Sequence, residues 1–97
     1  MTGWILESRT PEILLRVPSG AVKTIGRTSK ADFILEAALV SRIHCRVTAS
    51  NEALTVEDLD STNGIQVNGK RVKRATLKAG DILSVGRVDL EVKNAAP

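Results

Sequence analysis

The sequence predicts an all-β domain, and three observations carry that expectation. Apolar residues recur at every second position in several short runs. Turn-forming residues separate those runs. No segment has the length and composition of a free-standing helix. Short alternating strands with frequent turns are the pattern of a β-sandwich or barrel.

Taken in chain order, "EILLRV" sets Ile13, Leu15 and Val17 on one face and Leu14 and Arg16 on the other. "PSG", Pro18 to Gly20, is the turn that follows. "EAAL", Glu36 to Leu39, is helix-favouring but too short to hold a helix alone. In "RIHCRVTA", the alternation places Ile43, Cys45, Val47 and Ala49 on one face and His44, Arg46 and Thr48 on the other. "SNE" at 50–52 reads as a turn. Asn63-Gly64 and Asn68-Gly69 follow, and both residue types tolerate the positive φ of tight turns. The second pair, between Val67 and Val72, predicts a hairpin, whereas the first also displays the hydroxyls of Ser61 and Thr62. Ala79-Gly80-Asp81 is a further turn, and "VDLEV" alternates Val88, Leu90 and Val92 with Asp89 and Glu91. Residues 1–93 form one domain on this reading, with 94–97 as a disordered tail.

Composition narrows the function. A chain of 97 residues supports one modest core, and 42% hydrophobic residues is a globular share. No apolar run approaches the ~20 residues of a membrane-spanning helix. "MTGWILESRT" has neither the basic nor the apolar region of a signal peptide. One cysteine suits a reducing, intracellular setting, cytoplasmic or nuclear. The net charge of +3 favours anionic partners without requiring nucleic acid. Tyrosine is absent and Trp and Phe occur once each, so a base-stacking surface lacks material.

The segment "VSRIHCRV", Val40 to Val47, holds the only histidine and the only cysteine. A Ser41–His44 nucleophile pair would need an orienting carboxylate, and no nucleophile elbow surrounds Ser41. One His and one adjacent Cys do not make a metal set. The favoured reading makes His44 a hydrogen-bonded structural residue and Cys45 core. "KRVKR", Lys70 to Arg74, reads as the solvated surface of a hairpin. A small anion remains, and a phosphorylated side chain is such a ligand: it seeks arginine, hydroxyls and backbone N–H groups on loops. Three turns supply them: Arg27, Thr28, Ser29 and Lys30; then Ser41 and Arg42; then Ser61, Thr62 and Asn63.

The order Gly26-Arg27, Ser41-Arg42-Ile43-His44, Ser61-Thr62-Asn63-Gly64, Val67-Asn68-Gly69, Leu77…Gly80-Asp81 and Gly86 resembles the forkhead-associated (FHA) domain over roughly residues 12–93. The resemblance implies an FHA-type β-sandwich of about eleven short strands in two twisted sheets, with binding loops at one end. It implies a phosphothreonine-dependent interaction module and no enzyme, cofactor or metal. Carried over by residue, Arg27, Ser41 and Arg42 would meet the phosphate, while Thr62 and Asn63 would lie beneath the peptide, with Asn63 gripping its main chain. Thr28, Ser29 and Lys30 would offer flanking contacts, and Gly26, His44 and Gly64 would support the site. The implied partner is a phosphothreonine-containing protein downstream of a Ser/Thr kinase, with no specific nucleic acid and no membrane. The alternative is a phosphate-independent FHA-like scaffold or self-association domain.

Overall fold

A computed structural model describes residues 3–9 and 12–95. These fold into eleven strands: β1 (Gly3–Arg9), β2 (Glu12–Pro18), β3 (Val22–Gly26), β4 (Phe33–Ile34), β5 (Cys45–Ala49), β6 (Leu54–Asp58), β7 (Ile65–Val67), β8 (Lys70–Val72), β9 (Arg74–Leu77), β10 (Ile82–Val85) and β11 (Val88–Asn94). One sheet has the order β2-β1-β11-β10-β7-β8 and the other β4-β3-β5-β6-β9. The β3–β4 pair is parallel, and the other neighbours run antiparallel. The expected all-β sandwich is what forms.

Alternation decides which faces meet. In β2, Leu15 and Val17 are buried while Glu12, Leu14 and Arg16 are exposed. In β11, Val88, Leu90 and Val92 face inward and Asp89 and Glu91 outward. Cys45, Val47 and Ala49 of β5 and Leu54 and Val56 of β6 supply the facing layer. Burying each Leu or Val among them contributes roughly 1.5–3 kcal/mol before entropy is counted. Trp4 closes the margin of this core, and its indole N–H donates to Ser50 O at 3.0 Å.

The outer face of the five-stranded sheet carries two cross-strand rows. Val22, Thr48, Thr55 and Thr76 lie opposite one another in turn, as do Thr24, Arg46, Glu57 and Arg74. In the second row Arg46 pairs with Glu57, and this hydrogen bond, with the two flanking arginines, holds the Glu57 carboxyl below its usual range.

Turn chemistry sets the connections. Val67 lies opposite Lys70, and Asn68 and Gly69 between them have φ of 53° and 83°. Paired positive φ values are those of the type I′ hairpin expected from Asn-Gly. The Asn68 side chain then reaches β10: its Nδ2 donates to Asp81 Oδ1 and its Oδ1 accepts from the Ile82 N–H. Asp81 Oδ2 accepts from the Lys78 N–H, which closes the turn before β10. Ser50 forms the turn after β5, with its Oγ accepting from the N–H groups of Glu52 and Ala53.

Two expectations are corrected. Ile43 is not on the core face with Cys45: β5 begins at Cys45, Ile43 lies in the preceding loop and is exposed, and His44 is fully buried. The alternation fails there because the chain before Cys45 is bonded partly to β3 and partly to the loops after β3 and β6, not to a regular ladder. The tail does not start at residue 94. Asn94 belongs to β11 opposite Trp4, and the Ala95 N–H donates to Gly3 O at 3.0 Å. The remainder of that tail, Ala96 and Pro97, lies outside the described residues. "EAAL" forms no helix; it ends in a turn at Ala38–Leu39, where Leu39 has φ of 69°.

Candidate functional site

Three loops converge at the strand ends: residues 27–32 after β3, 35–44 before β5, and 59–64 before β7. The second and third of these meet at one buried imidazole. The Ser41 N–H donates to His44 Nδ1 at 2.9 Å, and His44 Nε2 lies 2.7 Å from Gly64 O. An N–H on one side and a carbonyl on the other fix the neutral tautomer, with the proton on Nε2. The His44 backbone adds two bonds: its N–H donates to Ile25 O and its C=O accepts from the Leu59 N–H. His44 thus ties the Ser41 loop to β3 and to the 59–64 loop.

Gly26 makes the second join. A Cβ there would stand 2.1 Å from Arg42 O and 2.8 Å from Ile43 Cα, so no side chain fits between β3 and the Ser41–His44 loop. The close approach lets the Arg27 N–H donate to Ser41 O at 2.9 Å. The Arg27 side chain leaves this point held by its inner edge, with Nε donating to Val40 O at 3.0 Å.

The 59–64 loop is braced by Ser61. Its Oγ accepts from the Gly64 N–H at 2.8 Å and donates to Asp58 Oδ1. The loop crosses to the others through Thr62 and Asn63. The Thr62 N–H donates to Ser41 Oγ at 3.1 Å, and Asn63 Nδ2 donates to Leu39 O at 3.2 Å. The Thr62 amide occupies an acceptor site of the Ser41 hydroxyl, whose own hydrogen can then be donated into the cleft.

The result is a shallow cleft of about 340 Å³ lined by Arg27, Ser41, Arg42, Ile43, Asp60 and Thr62. Of the expected site residues, Arg27, Ser41, Arg42 and Thr62 come together there, whereas Asn63 is outside the lining and its Nδ2 is engaged with the Leu39 carbonyl. Thr28 turns back to its own scaffold, its Oγ1 donating to Arg42 O at 3.3 Å. Ser29 and Lys30 are exposed and outside the lining. Gly64 lies under the Arg71 guanidinium of β8, where a Cβ would stand 2.7 Å from Arg71 Nε.

Sequence reasoning missed Ile43, Asp60 and Arg71. Period two had assigned Ile43 to the core. Asp60 carries a positive φ of 54°, as Asp tolerates, and its place beside Ser61 was the available signal. Arg71 arrives through the hairpin, so only the fold could bring it to Gly64. Cys45 is the core residue expected: burial, reinforced by the Asp58 charge, pushes its thiol up to about 12. Among the described residues, no three of His, Cys, Asp and Glu are grouped as a metal site, and no helix is long and apolar enough to cross a membrane.

The family model of the FHA domain matches residues 23–86, a segment that includes all three loops. The chain belongs to the FHA-domain family. It is 38% identical, over 76% of its length, to the ABC transporter ATP-binding/permease protein Rv1747 of Mycobacterium tuberculosis. The chain spans 8% of that relative. Its fold superposes with a TM-score of 0.87 on M. tuberculosis EmbR in complex with a low-affinity phosphopeptide, at 25% identity, covering 98% of this chain and 25% of EmbR. A domain solved in a structural and functional analysis of phosphothreonine-dependent FHA domain interactions matches over 98% of both chains, with a TM-score of 0.87 and 28% identity.

Proposed function

We propose that this FHA domain is a phosphothreonine-dependent protein–protein interaction module without catalytic activity. The observation that carries the reading is the cleft itself: two arginines and two hydroxyl side chains from three separate loops line one shallow, solvent-open site. Such donors suit a dianionic phosphate on an extended peptide better than an enclosed small molecule. Arg27 supplies the charge-assisted pair, Ser41 a hydroxyl hydrogen, and Arg42 a second cation. Asn63, next to Thr62 in the same loop, meets the peptide main chain beside the phosphorylated residue. The partner is a protein carrying a phosphothreonine, made by a Ser/Thr kinase. An intracellular setting follows, where such kinases act and where the lone cysteine stays reduced.

His44 is unsuited to general-base work on Ser41. Its Nδ1 is bonded to the Ser41 amide and its Nε2 to Gly64 O, so neither nitrogen is presented to the Ser41 hydroxyl.

The test is calorimetric titration at fixed salt with one peptide in phosphothreonine, phosphoserine and unphosphorylated forms. Binding should require the phosphate. It should favour phosphothreonine at least about tenfold, since a methyl in an apolar niche is worth about 1–3 kcal/mol. Equal affinity for the plain peptide would instead make the domain a phosphate-independent scaffold.

A further inference from the structure

The free edge of the six-stranded sheet has a pattern that the phosphate site leaves unused. β2 ends that sheet and pairs with β1. The register shows which of its backbone groups face outward. Ala95 donates to Gly3 O, so Gly3, Ile5 and Glu7 turn their backbone groups toward β11. Trp4, Leu6 and Ser8 therefore turn theirs toward Val17, Leu15 and Ile13 of β2. The alternate residues of β2, Glu12, Leu14 and Arg16, present N–H and C=O groups away from the sheet. Pro18, which has no N–H to offer, falls in the same outward set, as proline does on edges.

The other sheet edges are shorter. β8 has 3 residues, β4 has 2 and β9 has 4, whereas β2 has 7. β8 also carries Lys70 and Arg71, a charge pattern that discourages pairing. β2 instead alternates opposite charges around an apolar centre. Glu12, Leu14 and Arg16 are all exposed, and Leu14 is 51% exposed.

We propose that β2 is a self-association edge that takes the β2 of a second copy of this chain as an antiparallel neighbour, centred on Leu14. In that register Leu14 meets the partner's Leu14, Glu12 meets the partner's Arg16, and Arg16 meets the partner's Glu12. These are also the residues whose backbone groups point outward, so charge pairing and hydrogen bonding select the same alignment. Moving the register by two residues keeps the backbone bonds but sets Leu14 against a charge. A groove of about 490 Å³ beside Glu12 and Leu14, lined by Glu7 and also by Arg9, lies along this edge. The proposal does not depend on what the phosphate cleft binds.

The interface is small, so a weak dimer is expected, with a dissociation constant of about 0.1–1 mM, weakening as salt rises. Sedimentation equilibrium of the 97-residue chain up to about 1 mM measures it, in the range of weak complexes. Glu12→Arg and Arg16→Glu should each be monomeric, since each sets like charges opposite one another. Mixed together they should form a heterodimer, and the double swap should restore self-association. Circular dichroism and a thermal melt check that each variant is folded. A wild-type chain that stays monomeric throughout, or a dimer that survives both single swaps, overturns the proposal.

Discussion

In the proposed site Arg27 is already bonded through Nε to Val40 O, so little side-chain freedom would be lost on meeting a phosphate. Arg27→Ala should weaken phosphopeptide binding by roughly 2–4 kcal/mol, about thirty- to a thousandfold. The melting temperature should barely move, because Arg27 is exposed. Calorimetric titration beside a thermal melt checks both halves, and undiminished affinity in a folded variant would relocate the site. Asp60 lines the same cleft, and in the proposed site its negative charge would oppose an incoming dianion. Asn tolerates the same positive φ, so Asp60→Asn leaves the loop unstrained. Affinity should rise by about two- to fivefold at low salt, with the gain shrinking as salt screens the charge.

At the scale of elements, the site is a junction of loops, and His44 is its pin. His44→Ala would leave the Ser41 N–H and the Gly64 C=O without partners, at about 1–3 kcal/mol for each buried group. Stability and phosphopeptide affinity should therefore fall together in paired melts and titrations. Lost affinity at unchanged stability would mean that His44 touches ligand directly. Much of this architecture was legible in the sequence. Asn68-Gly69 announced its hairpin because its conformation is set by the two residues themselves. The faces of β2 and β11 were readable because ladder geometry fixes their period. Ile43 was misread because a loop pulled in by Gly26 and His44 obeys no period. Asp60 and Arg71 were not visible as site neighbours, since their placement depends on how loops and a hairpin from different strands pack. Thr28 looked like a ligand group because hydroxyls at turns are drawn equally to backbone, and here Arg42 O takes it.

For the molecule as a whole, pH dependence has an identifiable source. Asp81 is nearly buried, and the Lys78 N–H, helped by the Asn68 side chain, holds its carboxyl below the usual carboxylate range. Its contribution is complete above the ordinary value of about 3.9 and disappears as pH falls through the lower folded-state value. Melts from neutral pH downward should show stability declining in that acid window. Asp81→Asn should lower stability at neutral pH and flatten part of the decline. An unchanged acid profile in that variant would assign the loss to other carboxylates. The bond from His44 to Gly64 spans 20 residues of sequence, and that from Asn63 to Leu39 spans 24. Contacts of this kind require the intervening chain to be closed into loops, so the site needs segments far apart in sequence. No fragment carrying one loop should then show phosphate affinity. The bound state draws only on the fully folded population, and a peptide at a hundred times its dissociation constant should raise global stability by about 2.7 kcal/mol. Ligand concentration would thereby set how completely the domain stays folded.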